Sequence, residues 1–309
     1  VIVQTINLTK RYGSLVALNN LHLEIQQGEC FGYIGPNGAG KTTTIKILAT
    51  LLQPTWGEAR ICGKVVGFQS RDIRPMIGYV PDFFGAYEDM VVQEYLEFFA
   101  SAYNILGDQR TRVVGDVLEL TDLSYKRDSL VDSLSRGMKQ RLSVARVLLH
   151  DPKVLLLDEP ASGLDPRARI ELRELLKELR RMGKTIIISS HILHELAELC
   201  TTVGILEQGE LLFHGTIEEI VRRARMGTRV QVRVVEQPKL AAELLGRQPG
   251  VKQVEQTDGQ ILVELGQEVH DFTDIVRVLL TNNFRIHEVR EEEVNLETAF
   301  MRLTKGLVQ

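Results

Sequence analysis

Residues 29–52 read ECFGYIGPNGAGKTTTIKILATLL. A short apolar run ends at a glycine-rich turn, and an apolar pattern with helical spacing leaves it. Between them Gly35, Pro36, Asn37, Gly38, Ala39, Gly40, Lys41 and Thr42 fit the pattern G-x-x-x-x-G-K-[ST], and Thr43 follows one step on. Strand, glycine turn and helix is the context this pattern requires. The glycines let successive backbone N–H groups face an anion, and the helix N-terminus adds roughly half a positive charge. Lys41 can reach the outer phosphates of a nucleoside triphosphate, and the hydroxyl of Thr42 can serve a Mg²⁺ ion. An ordinary glycine-rich turn would need neither the lysine nor the hydroxyls.

Further along, KVLLLDEP (residues 153–160) is a continuous apolar run ending in two carboxylates, and KTIIISS (184–190) is a second such run. Runs of this kind suit a parallel sheet buried on both faces. Asp158 then falls at the C-terminal edge of a buried strand, where α/β sheets place ligand groups. It can hold Mg²⁺ through water, and Glu159 can take a proton from an attacking water. Between the runs, Pro166 starts a helix that Gly183 ends. Strands VQTINL and LHLEI precede the loop, and residues from about 74 to 150 read as mostly helical. The fold expected is an α/β core with a helical insertion.

Composition narrows the class. The chain has 309 residues, 44% hydrophobic and 25% charged, which suits one large domain and a smaller one. A net charge of -4 gives no global field that favours nucleic acid or anionic lipid. Cys30, Cys62 and Cys200 show neither metal-ligand spacing nor a disulfide framework, as in a reducing compartment. No apolar run approaches the roughly 20 residues of a membrane span and no signal peptide is visible. A cytosolic protein is expected, with any membrane part supplied by another chain.

A second unit is expected from about residue 228. RVQVRVV, KLAAELLG, VKQVEQ, QILVEL, DFTDIVRVLLTNN and FRIHEV give the order β-α-β-β-α-β of a ferredoxin-like domain, with Asp258-Gly259 as a hairpin turn. Phe272, Ile275, Val276 and Leu279 share one helical face. A last helix, NLETAFMRLTKG, is expected after it. No catalytic constellation is visible in this region.

GPNGAGKTT, SLSRGMKQ, LLLDEPASGLDP and SSH stand in the order and spacing of ATP-binding cassette (ABC) ATPases, and the resemblance covers about residues 1–225. It implies an α/β P-loop NTPase cassette with an antiparallel β subdomain and a helical insertion. It further implies ATP and Mg²⁺ as ligands, hydrolysis of ATP to ADP and phosphate, and a head-to-tail homodimer, or paired cassette, holding two ATP molecules. In that resemblance Tyr12 stacks on adenine, and Glu159 is the catalytic acid–base residue beside Lys41 and His191. His191 senses the γ-phosphate, bonded to water on the Glu159 side. Asp165 belongs to a loop that crosses the dimer; it also reads as an N-cap before Pro166. Ser135, near the N-cap of a helix over 138–149, and Gly137 form a second anion site that closes over the partner's phosphates. Arg136 and Met138 depart from the usual Leu-Ser-Gly-Gly-Gln. Asp82, in IGYVPD, stands where the family has a glutamine that touches the Mg²⁺ and attacking water; an aspartate keeps an oxygen ligand for a hard cation.

The same resemblance points to the exporter branch, whose ATPases act on separate membrane subunits from the cytoplasmic face of the inner or plasma membrane. The docking face is expected on the helical insertion and in DFFGAYEDMVVQEYLEFFASAY, with Phe83, Phe84 and Tyr87 exposed. The alternative is a soluble ABC ATPase working on ribosomes or DNA. One cassette and no heptad array favour transport, and no nucleic-acid partner is expected.

Overall fold

The computed structural model describes residues 1–82, 85, 89–191, 193–224, 229–257, 260–266, 272–291 and 300–301. Phe83, Phe84, Tyr87, the Asp258-Gly259 turn and most of the expected last helix lie outside the described residues. The chain divides into two units, the first Val1–Ile217 and the second Glu218–Leu303. The division falls within the stretch 1–225 that the sequence reading gave to the first unit.

Two sheets organise the first unit. Strands β1 (Val3–Tyr12), β2 (Leu15–Ile25), β4 (Trp56–Ile61) and β5 (Lys64–Val65) pair antiparallel in the order β2-β1-β4-β5. The second sheet has the order β10-β9-β3-β8-β7-β6. It comprises β3 (Cys30–Ile34), β6 (Ile77–Val80), β7 (Val154–Asp158), β8 (Thr185–Ser190), β9 (Thr202–Glu207) and β10 (Glu210–Thr216). Its pairs are parallel except β9–β10 at the edge. Every residue of β3, β7 and β8 is buried, as the continuous apolar runs require. Val3, Leu23, Ile25, Phe31, Ile45, Ile47, Leu156 and Ile187 share one core, and each such side chain contributes roughly 1.5–3 kcal/mol.

Helices of this unit are α1 (Lys41–Leu48), α2 (Ser70–Ile73), α3 (Val92–Ala102), α4 (Gly107–Leu120), α5 (Arg136–Leu148), α6 (Pro166–Arg181) and α7 (Leu193–Leu199); α8 (Ile217–Ala224) spans the division. Three expectations need correction. The helical spacing runs to Leu52, but α1 stops four residues earlier. Thr50 adopts φ 62, and the N–H groups of Leu51 and Leu52 turn back to the carbonyl of Lys46, closing the helix before Pro54 acts. The stretch from residue 74 is helical for only one 3₁₀ turn (Arg74–Met76) before β6 joins the main sheet beside β7. Helix α5 begins at Arg136 rather than Met138, capped by the Ser135 hydroxyl.

In the second unit β11 (Arg229–Val234), α9 (Pro238–Gly246), β12 (Val251–Thr257), β13 (Gln260–Leu265), α10 (Thr273–Thr281) and β14 (Ile286–Glu291) follow in the expected order. The sheet is antiparallel, in the order β12-β13-β11-β14. Val230, Val232, Val234, Ile261, Val263 and Leu265 alternate inward against Ala241, Leu245, Ile275 and Leu279. Phe272 and Val278 pack beside them, so the buried face of α10 includes Val278 rather than Val276.

Candidate active site

Glycine is obligatory at two points of the loop after β3. A Cβ on Gly35 would lie 2.3 Å from the carbonyl oxygen of Leu206. Gly40 caps α1 at φ 106, and its Cβ would lie 2.5 Å from the Ala17 oxygen. The loop is therefore pressed onto neighbouring backbone as well as bent. It is tied further by Gly209 N–H donating to the Ala39 oxygen at 3.0 Å. Helix α1 carries no acidic residue in its own first turn, so the helix itself sets no negative charge against an anion at its positive end.

Lys41 is the first residue of α1 and is buried, 5% exposed. Its ammonium donates to the carbonyl oxygens of Gly35 (2.6 Å) and Pro36 (3.2 Å) and lies 3.5 Å from Glu159 Oε1. These partners offset the cost of burying the charge.

Asp158 ends β7 and is also buried. Thr42 Oγ1 and Ser189 Oγ both donate to its Oδ1, at 3.0 and 2.8 Å. Burial pushes its pKa up against these two bonds, and the neighbouring Glu159 and Asp82 charges push it the same way. Burial, Asp158 and Asp82 likewise raise Tyr79, on β6, to about 12. With the folded-state pKa of Asp158 above the unfolded value, its contribution to stability is present below the unfolded pKa and lost as pH rises through the folded one. Asp158→Asn keeps an Oδ1 acceptor for both hydroxyls and removes the buried charge. At pH 8 the nucleotide-free variant is expected to melt no lower than wild type, and up to about 4 °C higher, while metal-dependent turnover is lost. Calorimetry and a phosphate-release assay check both halves.

Glu159 occupies the left-handed region at φ 48, an uncommon conformation for a side chain of this size that costs on the order of 1–3 kcal/mol. Its N–H donates to Ser189 Oγ at 2.9 Å. The turn presents Oε1 to Lys41 and Oε2 to Nδ1 of His191, 2.8 Å away. His191 thus meets the carboxylate directly, where the sequence reading expected contact through water.

These groups border a cleft of about 360 Å³ lined by Tyr12, Leu15, Ala17, Pro36–Thr43, Asp82 and Glu159. Tyr12 closes β1 half-exposed, with Lys10 Nζ 5.2 Å from its ring centre. Asp82 is exposed at the cleft. Gly35 reaches the site through Lys41, Asp158 through Thr42 and His191 through Glu159. Ser135, Gly137 and Asp165 do not line this cleft. Ser135 caps α5, accepting from Met138 N–H at 3.2 Å. Gly137 packs against α6 so closely that a Cβ would sit 2.6 Å from that of Ala168. Asp165 is the N-cap residue of α6, before Pro166 at the first helical position, but its side chain makes no capping bond.

The pattern of the ABC transporter family matches residues 18–162. Over 309 aligned residues, 99% of this chain and 98% of the relative, it is 35% identical to the bacitracin transport ATP-binding protein BcrA of Bacillus licheniformis. The chain belongs to the ABC transporter family. It is also 40% identical, over 70% of this chain and 71% of the relative, to the Nod factor export ATP-binding protein I of Burkholderia orbicola (strain AU 1054). Among solved structures it resembles the dimeric, post-hydrolysis ATP-binding cassette MJ0796 bound to ADP and Pi, with TM-score 0.63 and 27% identity over 70% of this chain and 98% of that one. The ABC chain is accordingly an ATP-binding ATPase, with the mixed α/β cassette fold of its relatives.

Sequence reasoning passed over two features of this ABC site. Ser189 holds both carboxylate-bearing residues at once; the pairing of Asp158 with Ser189 across adjacent parallel strands puts it there. Leu15 and Ala17 form the cleft wall from β2, a strand whose N-terminal half has no apolar alternation to announce it.

Proposed function

We propose that this chain is the ATP-hydrolysing subunit of an exporter, and that two copies, or one copy and a paired cassette, close head to tail on two ATP molecules. The observation that carries hydrolysis, rather than binding alone, is Glu159. A strained backbone and two cationic or hydrogen-bonding partners aim its carboxylate at the mouth of a phosphate-binding loop. Lys41 transfers its ammonium from the loop carbonyls to the outer phosphates, which releases Glu159 Oε1 to accept a proton from water. His191 holds the other oxygen and senses the γ-phosphate. Tyr12 supplies an adenine platform, and the N–H groups of the loop cradle the phosphates. Ser135, Gly137 and Asp165 serve the partner's nucleotide.

The donor set fits Mg²⁺. Thr42 Oγ1 and Asp158 Oδ1 are hard oxygens 3.0 Å apart, with Asp82 beside them. Among the described residues no cluster of three or more His, Cys, Asp or Glu forms an all-protein cage, so substrate phosphates complete the shell. When bound, the ion neutralises charge on the β- and γ-phosphates. Asp82, as a carboxylate in place of an amide, retunes that shell.

We assign the cassette to residues 1–225, with its helical subdomain between β6 and β7, and a ferredoxin-like domain to 228–309 that adds dimer contact. The relatives named for Nod factor export, bacitracin transport and linearmycin resistance support export. Among the described residues no helix is long and apolar enough to cross a membrane. Separate membrane subunits therefore dock on the cytoplasmic face of the inner or plasma membrane. A cleft of about 890 Å³, lined by Phe99, Tyr103 and Ile105 on one side and Leu51, Pro75 and Ile77 on the other, suits that contact. Purifying the Glu159→Gln variant from detergent-solubilised membranes in ATP tests this. A polytopic membrane protein released by ADP is expected; ribosomal particles or DNA would instead support the soluble reading.

A further inference from the structure

The tip of α5 carries a cation that the usual signature sequence lacks. Arg136 is the first residue of α5, between Ser135 and Gly137, and it is exposed. Among the described residues its guanidinium has no hydrogen bond or ion pair. Yet it has a fixed seat. It lies on the bare Cα of Gly163, where an added Cβ would come within 2.4 Å of Cζ and Nη1 and 2.6 Å of Nη2. Gly163 adopts φ 66, so both its conformation and its missing side chain suit this packing.

The seat is itself anchored. Ser162 N–H donates to the Glu159 oxygen at 3.0 Å, and Arg169 Nε donates to the Leu164 oxygen at 2.9 Å. The loop from Glu159 to Asp165 is thus tied at both ends, with Arg136 resting on its middle. The arginines packed on the same helices differ: Arg141 pairs with Asp122 and Glu171, and Arg173 with Glu198. A guanidinium held by packing alone keeps its N–H fork available for a bidentate anion such as a phosphate.

We infer that Arg136 is a further phosphate-binding residue, carried by the α5 tip to the triphosphate held by a second copy of this chain, with Gly163 as its seat. This rests on the head-to-tail reading above. The guanidinium adds charge-assisted bonds where the usual glycine offers only backbone, and compensates there for the amide that Met138 cannot provide.

The test is nucleotide-driven dimerisation in the Glu159→Gln background, measured by analytical ultracentrifugation in ATP and Mg²⁺ at several salt concentrations. Adding Arg136→Gln, which keeps a stem over Gly163 without the charge, or Arg136→Gly is expected to weaken dimerisation about tenfold or more. Both are expected to flatten its salt dependence. Arg136→Lys keeps the charge and should stay within about threefold. Binding of fluorescent ADP to the single chain should not change, because the cation acts on the partner's nucleotide. If Arg136→Gln and Arg136→Gly dimerise within twofold of the parent, the inference fails while the head-to-tail reading stands. If the parent itself stays a single chain at saturating ATP, both fail.

Discussion

Lys41→Ala is expected to lower kcat/KM for ATP by about 10²–10³, the loss that follows removal of one preorganised charge-stabilising donor. The ammonium is the only buried cation that bridges the loop carbonyls and Glu159 among the described residues. Alanine removes the group that meets the outer phosphates and strands the Gly35 and Pro36 oxygens. It also leaves Glu159 Oε1 without the ammonium that lies 3.5 Å away and helps to position it. The unsatisfied acceptors cost about 1–3 kcal/mol each where water cannot replace the donor. A modest fall in melting temperature should therefore accompany the kinetic loss. Steady-state phosphate release measures the first effect, and circular dichroism shows that the fold survives. Turnover within threefold of wild type would remove Lys41 from the mechanism.

Glu159→Gln is expected to cut kcat by about 10²–10⁴, the range assigned to a positioned general base, without loss of ATP affinity. The amide matches the carboxylate in size and can still bond His191 Nδ1. It cannot take a proton from water, and it no longer draws Lys41 back from the phosphates. Affinity for ATP should stay level or rise slightly. Single-turnover hydrolysis and fluorescent nucleotide titration separate the two. A variant that hydrolyses normally would show that the strained backbone at Glu159 serves another purpose.

The site was legible where chemistry and periodicity coincide. The loop between a buried strand and an amphipathic helix, and the carboxylates after an apolar run, each follow from local sequence. So does the alternation in β11 and β13, which gave the element order of the second unit. What stayed hidden depends on contacts distant in sequence. The apolar pattern of α1 continues past its end, because Thr50 reverses the chain by a backbone choice that composition does not mark. Strand β6 is four residues long and is a strand because β7 is its neighbour. Strands β9 and β10 flank Gln208 and Gly209, both at positive φ, a turn signal that the reading passed over. The direct bond between His191 and Glu159 depends on a left-handed residue that no pattern requires. The seating of Arg136 on Gly163 joins positions 27 residues apart.

The most direct measurement is the mass of the Glu159→Gln chain by sedimentation at saturating ATP and Mg²⁺, alone and with its membrane subunits, with bound nucleotide counted. Expected is a two-cassette particle holding two ATP molecules, which falls apart in ADP. A cassette that remains single under both conditions, nucleotide-loaded but unpaired, would contradict head-to-tail closure as the source of the catalytic site.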